Sequence, residues 1–174
     1  MTSAPDRLAS ALASFLARDL QDWRGLPDGV TLEDLEQFLP VDRAFDGVAP
    51  LGERFRRAEW VAGLADGFPD GVRVWVRGGR VVALDAQRMD VDEVAGLLSQ
   101  LGEPEARLDA FLGPMPAPRG EWVYPERGVT LFVAGEGAFV DRVVVYAPTT
   151  LDEYLQHLRP DTHVVPLPES EGPP

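Results

Sequence analysis

Apolar residues recur at steps of three or four between residues 6 and 24. A helix with this spacing carries them on one stripe. The stripe predicts an N-terminal helix within residues 1–30 that packs on the body of the protein. Binding a partner through the same stripe is the alternative. Gly25 and the Pro27-Asp28-Gly29 cluster predict its end. The apolar positions are Leu8, Leu12, Phe15, Leu16, Leu20 and Trp23.

Three later segments begin with a helix-capping residue that is followed three positions later by an acid. They start at Thr31, Asp90 and Thr150, at intervals of 59 and 60 residues. A cap oxygen accepts from the free amides of the first turn, and acids there oppose the positive end of the helix. The segments predict short helices, and the fixed interval predicts an internal repeat.

A Glu-Trp-Val strand and a β-hairpin follow the first two predicted helices. Glu59-Trp60-Val61 precedes the first hairpin and Glu121-Trp122-Val123 precedes the second, with an irregular loop before each motif. Gly78-Gly79 suits a two-residue turn, because glycine takes the positive φ angles that such a turn needs. We therefore treat the two motifs as equivalent positions of a repeat.

The two-residue turn fixes the expected pairing in the first hairpin, and apolar side chains then lie on both of its faces. Such a pattern indicates that something covers the second face of the sheet, or that this face binds a partner. The expected pairs are Val76 with Val81, Val74 with Ala83, Trp75 with Val82 and Arg73 with Leu84.

Together these elements predict an α+β fold, an antiparallel sheet with short helices packed on one face. The chain divides into an N-terminal helix (1–30), two tandem helix–strand–hairpin units (31–88 and 89–148), a C-terminal helix (149–160) and a tail (161–174). Five prolines in residues 160–174 predict an extended or disordered tail. His163-Val164-Val165 is a candidate short edge strand within it.

Composition narrows the function classes. The 174 residues include 29 acids and 16 basic residues, all of them Arg, for a formal charge of −13. An acidic surface repels phosphate backbones and anionic lipid, so we expect neither nucleic-acid nor membrane binding. No apolar run approaches the length of a membrane span. We expect no signal peptide and a cytoplasmic location.

The second unit carries a family resemblance. The capped helix leads into Leu101-Gly102-Glu103-Pro104, then a strand with Trp122 and Tyr124, then a hairpin of alternating residues. This order resembles the repeat of β-lactamase-inhibitor-protein-like domains and of the related small outer-membrane-assembly lipoprotein domain. The resemblance implies a sheet with helices on one face and, in tandem forms, an opposite face that grips a protein. The chain lacks the Cys that disulfides or lipidation in those families would use.

Candidate catalytic chemistry is sparse. Five residues, including an Arg-Pro step, separate His157 from His163, which is a poor match to helix-borne zinc ligands. No serine lies in a Gly-x-Ser-x-Gly turn, and no glycine-rich phosphate loop follows a strand. The acids of the capped helices are explained by capping. We therefore predict no catalytic residues, no metal site and no cofactor.

The leading hypothesis is a non-catalytic protein-binding module, of inhibitor or immunity type, that engages an unidentified protein partner. Its anchors would be Trp75, Trp122, Tyr124 and Phe132 on one sheet face, because aromatic residues dominate binding hot spots. Core packing is the competing interpretation of these four. The alternative functions are an acidic mimic of nucleic acid and a small-molecule-binding protein with a pocket between the units.

Overall fold

Within the described part of the chain, eight antiparallel strands form a single sheet in the computed structural model. The structure describes residues 3–52, 57–65, 68, 72–87, 94–110, 119–134 and 139–160. The strands are ordered β1-β2-β3-β4-β8-β7-β6-β5, so two four-stranded meanders meet where β4 pairs with β8. They span β1 Val41–Pro50, β2 Arg57–Gly63, β3 Val72–Arg77, β4 Arg80–Gln87, β5 Ala106–Ala110, β6 Arg119–Tyr124, β7 Val129–Ala134 and β8 Phe139–Tyr146.

Short helices accompany each meander. Their bounds are α1 Ala4–Leu16, α2 Leu32–Glu36, α3 Val94–Leu101 and α4 Leu151–Glu153, and α4 continues as a π-type turn over Tyr154–Leu158. In chain order, α2 precedes β1–β4 and α3 precedes β5–β8. The coarse α+β prediction is confirmed. The prediction of an irregular loop before each Glu-Trp-Val motif was wrong in part, because these segments contain the edge strands β1 and β5.

The N-terminal helix is shorter than its apolar pattern predicts. A capping box between Ser3 and Asp6 starts α1, and the helix ends at Leu16, before Arg18 takes a positive φ of 56°. The prediction that Leu20 and Trp23 continue the helical stripe was wrong. Both are still buried in the same core as α1, but on an irregular segment.

Arg127 explains how that irregular segment is buried. Its guanidinium donates to the backbone oxygens of Leu20, Gln21 and Trp23, at 2.9, 2.8 and 3.2 Å. Buried backbone carbonyls need such partners when no helix supplies them. A side chain from the second meander therefore supplies part of the hydrogen bonding that a helix would otherwise give this stretch.

Two of the three predicted caps are confirmed. Thr31 accepts from the amide of Asp34 at 3.1 Å, and Thr150 accepts from that of Glu153 at 3.2 Å. The third predicted cap, Asp90, lies outside the described residues, as does the predicted strand at 163–165 with the whole 161–174 tail.

The Gly78-Gly79 turn joins β3 to β4 as predicted, with φ angles of 56° and 77°. Val76 pairs with Val81, but Val82 is an extra residue. Such a bulge shifts every later pair by one position. The other three expected pairs were therefore wrong, and the observed ones are Trp75 with Ala83, Val74 with Leu84 and Arg73 with Asp85.

A second bulge lies at the matching place in the other meander. Phe132 pairs with Arg142 and Val133 with Val140, so Asp141 is the extra residue. In both hairpins the extra residue lies in the second strand. The matching irregularity in the first strand falls directly after an aromatic residue, Trp75 in one hairpin and Phe132 in the other.

The two Glu-Trp-Val motifs are not equivalent in the sheet. Trp60 pairs with Trp75, whereas it is Glu121 that pairs with Phe132. Relative to the matching bulges, the second motif is therefore displaced by one residue. Because successive side chains alternate between faces, a one-residue displacement reverses the face of the tryptophan. Trp60 and Trp122 accordingly pack in opposite hydrophobic clusters.

Both faces of the sheet are covered. The first face packs against α1, the 20–30 segment, α2 and Leu101 of α3. The second face packs against residues 151–158, with Tyr154 fully buried. The prediction that helices lie on one face is therefore incomplete, because the C-terminal helix covers the face opposite the others. No described helix is long and apolar enough to cross a membrane.

Candidate functional site

Charged side chains are buried on the second face, where the C-terminal segment packs. Asp85 of β4, Glu121 of β6 and Arg142 of β8 are all buried there. Burying a charge is costly unless it is paired and hydrogen-bonded. The partners of these three residues therefore decide whether the face can perform chemistry or serves to hold the fold together.

Asp85 and Arg142 form a two-point ion pair. Nε of Arg142 donates to Oδ1 of Asp85 at 2.8 Å, and Nη2 of Arg142 donates to Oδ2. Nε1 of Trp75 adds a longer contact to Oδ2 at 3.4 Å. This fork-to-carboxylate geometry is the strong form of an Arg–Asp interaction. The bulge at Val82 makes it possible, because it turns Asp85 onto the same face as Arg142.

Glu121 binds the C-terminal segment. The Tyr154 hydroxyl donates to Oε1 of Glu121, and Nε of Arg159 donates to Oε2 at 2.9 Å. Burial raises the pKa of Glu121, and the hydrogen bond from Tyr154 and the charge of Arg159 partly oppose that rise. Burial also raises the pKa of Tyr154, with the charge of Glu121 adding to it. The carboxyl group thus serves as an attachment point.

Further hydrogen bonds tie the C-terminal segment to the end of β1. Arg77 donates to the carbonyl oxygens of Leu51 and His157, at 2.8 and 2.6 Å. The amide of Gly52 donates to the carbonyl oxygen of Arg159 at 2.7 Å, beside a bridge between Leu51 and Pro160. The C-terminal segment therefore spans the second face from β6 to β1.

Arg73 completes the charged set of this face. Its guanidinium lies 4.5 Å from the ring centroid of Trp60 and 5.5 Å from that of Trp75. Burial lowers the pKa of Arg73, and the charge of Asp85 opposes that shift. Arginine stacked on indole is a stabilising contact in its own right. The charges of the second face are thus arranged for packing and pairing.

The four predicted anchors do not share a face. Trp75 and Phe132 are buried in the second-face cluster, whereas Tyr124 is buried in the first-face cluster and Trp122 packs against that cluster. Trp122 alone is partly exposed, with the Arg107 guanidinium 4.5 Å from its ring centroid. A protein partner cannot reach all four at once while the chain keeps this fold.

Exposed large apolar side chains lie elsewhere, around edge strand β1. We define the β1 edge surface as Phe38, Phe45, Val48 and Leu64, which are 40, 65, 55 and 53% exposed. Phe45 and Val48 belong to β1 itself. The amide of Leu64 donates to the carbonyl oxygen of Pro40 at 2.8 Å, which places Leu64 beside the start of β1.

The geometry of β1 explains why Phe45 is exposed. Asp46 pairs with Val61 and Asp42 pairs with Ala62, so residues 43–45 bulge out of the ladder. The residues from Asp46 to Pro50 then pair regularly with β2. Sequence reasoning missed this surface, because Val41–Pro50 mixes acids, Arg, Gly and Pro and lacks the alternation that predicts a strand. Phe45 and Val48 in that polar stretch were the available signal.

No group of three or more His, Asp or Glu side chains is placed to hold a metal ion among the described residues. Asp85 and Glu121 are each engaged by an arginine.

No protein-family model, curated protein or solved structure matches this chain. The resemblance to β-lactamase-inhibitor-protein-like and lipoprotein-like repeats therefore stays a prediction that rests on the residues that carry it.

Proposed function

We propose that this protein is a non-catalytic binding module that holds a protein partner at the β1 edge surface. One observation carries the proposal. All the large apolar side chains that are exposed among the described residues lie on β1 or beside its ends. Apolar residues grouped on a surface mark interaction sites more often than isolated ones do.

The position of β1 supports strand addition as the binding mode. β1 is an outer strand of the sheet, and no described strand pairs with its outer side, where a further strand could be added. The bulge at 43–45 limits regular pairing to the stretch from Asp46 to Pro50. Val48 lies in the middle of that stretch, and Phe45 borders it.

The opposite edge of the sheet provides a contrast. β5 has five residues, and its described apolar side chains, Ala106 and Leu108, pack into the second-face cluster. Arg107 is exposed and pairs with Glu103 at 2.7 Å. The two edges therefore differ in their exposed apolar side chains, which β1 carries at Phe45 and Val48, and β1 is the edge better suited to a partner.

The experiment places a photo-cross-linking residue, p-benzoyl-phenylalanine, at position 48 in cells that express the protein. The same residue at position 10, where Ser10 is exposed on α1, is the matched control. We expect one adduct of defined mass from position 48 and none from position 10. The Phe45→Ser change should abolish the position-48 adduct without unfolding the protein, since Phe45 is 65% exposed. Equal adducts from both positions would overturn the proposal.

We infer further that the two halves are copies of one module. Support comes from the shared order of one helix followed by four meandering strands, and from the bulges at Val82 and Asp141 at matching places. The resemblance to tandem inhibitor-type repeats is consistent with this arrangement. On this view the copies have diverged at their outer strands, and β1 alone has become the binding edge.

A further inference from the structure

A small cavity adjoins the β1 edge surface on the side of α1. Leu8 and Val30 are buried at its floor, and its walls include Pro5, Pro27 and Phe38. We call it the α1–α2 pocket. Its volume is about 110 Å³. Sites for cofactors and metabolites occupy roughly 300–1,000 Å³. The pocket is therefore smaller than such sites, which favours a single side chain over a whole cofactor or metabolite as its occupant.

The walls of this pocket are held in place before any ligand binds. The capping box of Ser3 and Asp6 fixes the start of α1. The amide of Val81 donates to the carbonyl oxygen of Val30 at 2.8 Å, and the amide of Leu32 donates to that of Gly79 at 3.3 Å. These bonds fasten the 27–31 loop to the β3–β4 hairpin. A preformed pocket spares a ligand the cost of ordering it.

Acidic groups surround the pocket mouth. Asp28 and Asp34 line it together with Gln37, and neither carboxylate forms an ion pair with a residue that the structure describes. The Thr31 amide donates to Oδ2 of Asp34 at 3.1 Å, and the hydrogen bonds from Thr31 lower the pKa of Asp34. Arg80 approaches the loop at Gly29. The whole chain carries −13, so a cationic ligand is favoured on approach.

We propose that the α1–α2 pocket receives one Leu, Ile or Met side chain from a segment of the protein partner that carries Lys or Arg beside it. The apolar side chain would contact Leu8, Val30 and Phe38, and the cationic one would pair with Asp28 or Asp34. The inference rests on the proposed function, because Phe38 belongs to both the pocket wall and the β1 edge surface. It adds the chemistry by which the partner is recognised.

The test titrates a blocked tetrapeptide, acetyl-Gly-Leu-Arg-Gly-amide, into the full chain and follows backbone amides by ¹⁵N NMR. We expect saturable shifts at Val30 and Phe38. Peptides with Ala in place of Leu, or Glu in place of Arg, should bind at least about tenfold more weakly, which is about 1.4 kcal/mol. Equal affinity for the three peptides, or shifts confined to residues outside the pocket, would overturn the proposal.

Two variants locate the binding site, each with a matched control. Ala4→Trp places a large side chain at the pocket, and Ser10→Trp places one on an exposed position of α1 outside it. Asp28→Asn removes a charge from the mouth, and Asp22→Asn removes an exposed charge outside it. We expect the Ala4 variant to lose the shifts and the Asp28 variant to bind about three- to tenfold more weakly. Unchanged binding by both pocket variants would contradict the assignment.

The peptide titration tests the pocket inference and the cross-linking experiment tests the proposed function, so the two can be contradicted independently. If no peptide shifts the pocket amides while the cross-linker at position 48 still gives a position-specific adduct, the pocket inference is wrong and protein binding at β1 stands. If the peptide binds the pocket as expected while position 48 gives no adduct, the β1 edge assignment is wrong and the pocket is a binding site in its own right.

Discussion

Removing one partner of the buried Asp85–Arg142 pair should destabilise the protein strongly. The side chains of Arg142 and Asp85 are 8 and 0% exposed, so neither charge can turn to water when its partner is lost. Breaking a buried pair in this way costs about 3–5 kcal/mol. The perturbation is Asp85→Asn, which keeps the shape of the side chain and removes its charge. For a chain of this size each kcal/mol lowers Tm by about 2–4 °C.

The surface pair of Arg43 and Glu36 is the matched control. Their contact distance is 2.7 Å, but their side chains are 62 and 30% exposed. Exposed pairs contribute about 0–1 kcal/mol. Glu36→Gln should therefore cost less than about 1 kcal/mol, although its geometry is that of a good ion pair.

Urea unfolding followed by tryptophan fluorescence measures both variants. The double variant Asp85→Asn with Arg142→Met should be more stable than Asp85→Asn alone, because it also removes the buried positive charge that Asp85 neutralises in the wild type. A loss in Asp85→Asn as small as in Glu36→Gln would refute the reasoning. So would a double variant whose loss equals the sum of the losses of Asp85→Asn and of Arg142→Met measured alone, since the two groups would then not interact.

Three further predictions concern single sites. Burial raises the pKa of Glu121, so folding favours the protonated form of this side chain. Relative to the Glu121→Gln variant, the wild type should therefore lose stability as the pH rises from about 4.5 through the folded-state pKa. Urea unfolding midpoints at several pH values measure this loss. Gly128→Ala should cost several kcal/mol in thermal unfolding, because a Cβ would lie 2.1 Å from the Tyr146 carbonyl oxygen at a φ of 63°. Gly79→Ala, with open space around it and a φ of 77°, should cost only about 1–2 kcal/mol; equal losses would contradict the steric argument. Thr31→Ala should cost about 1 kcal/mol by removing the cap of α2, and an unchanged Tm would show that the cap contributes nothing.

The sequence predicts local structure correctly where a few neighbouring residues suffice to define it, as in helix caps and tight turns. Thr31 and Thr150 cap helices in the structure as their sequences predict, and Gly78-Gly79 turns one strand into the next. In each case the bonds or the torsion angles lie within about four residues of the chain. No distant contact was needed to specify them.

The strand register could not be predicted from the sequence. An extra residue in one strand does not alter the alternation of apolar and polar residues from which strands are predicted. Val82 is a β-branched residue like Val81, yet it sets Asp85 opposite Arg73 and on the face of Arg142. The same kind of displacement separates Trp60 from Trp122. The predicted anchors Trp75 and Trp122 also lie on opposite faces, so the prediction that placed them together combined the two faces of the sheet.

The candidate site lay beyond sequence reasoning for a related reason. Aromatic residues on strands can serve as core or as interface, and only the packing of residues 151–158 shows that Trp75 and Phe132 are enclosed. The β1 strand, conversely, is paired along a polar sequence that favours no strand by itself. Its exposure is a property of its place at the edge of the sheet.

The sequence by itself determined the short capped helices, the hairpin turn, the abundance of strand-forming segments and the acidic surface, since these depend on neighbouring residues and on composition. Tertiary structure alone decided which strands meet, that β4 joins β8 at the centre, and which side chains of each strand face water. Those outcomes depend on contacts between residues that are far apart in the chain. A single bulge is enough to change which side chains face water, because the side chains of a strand alternate between its two faces.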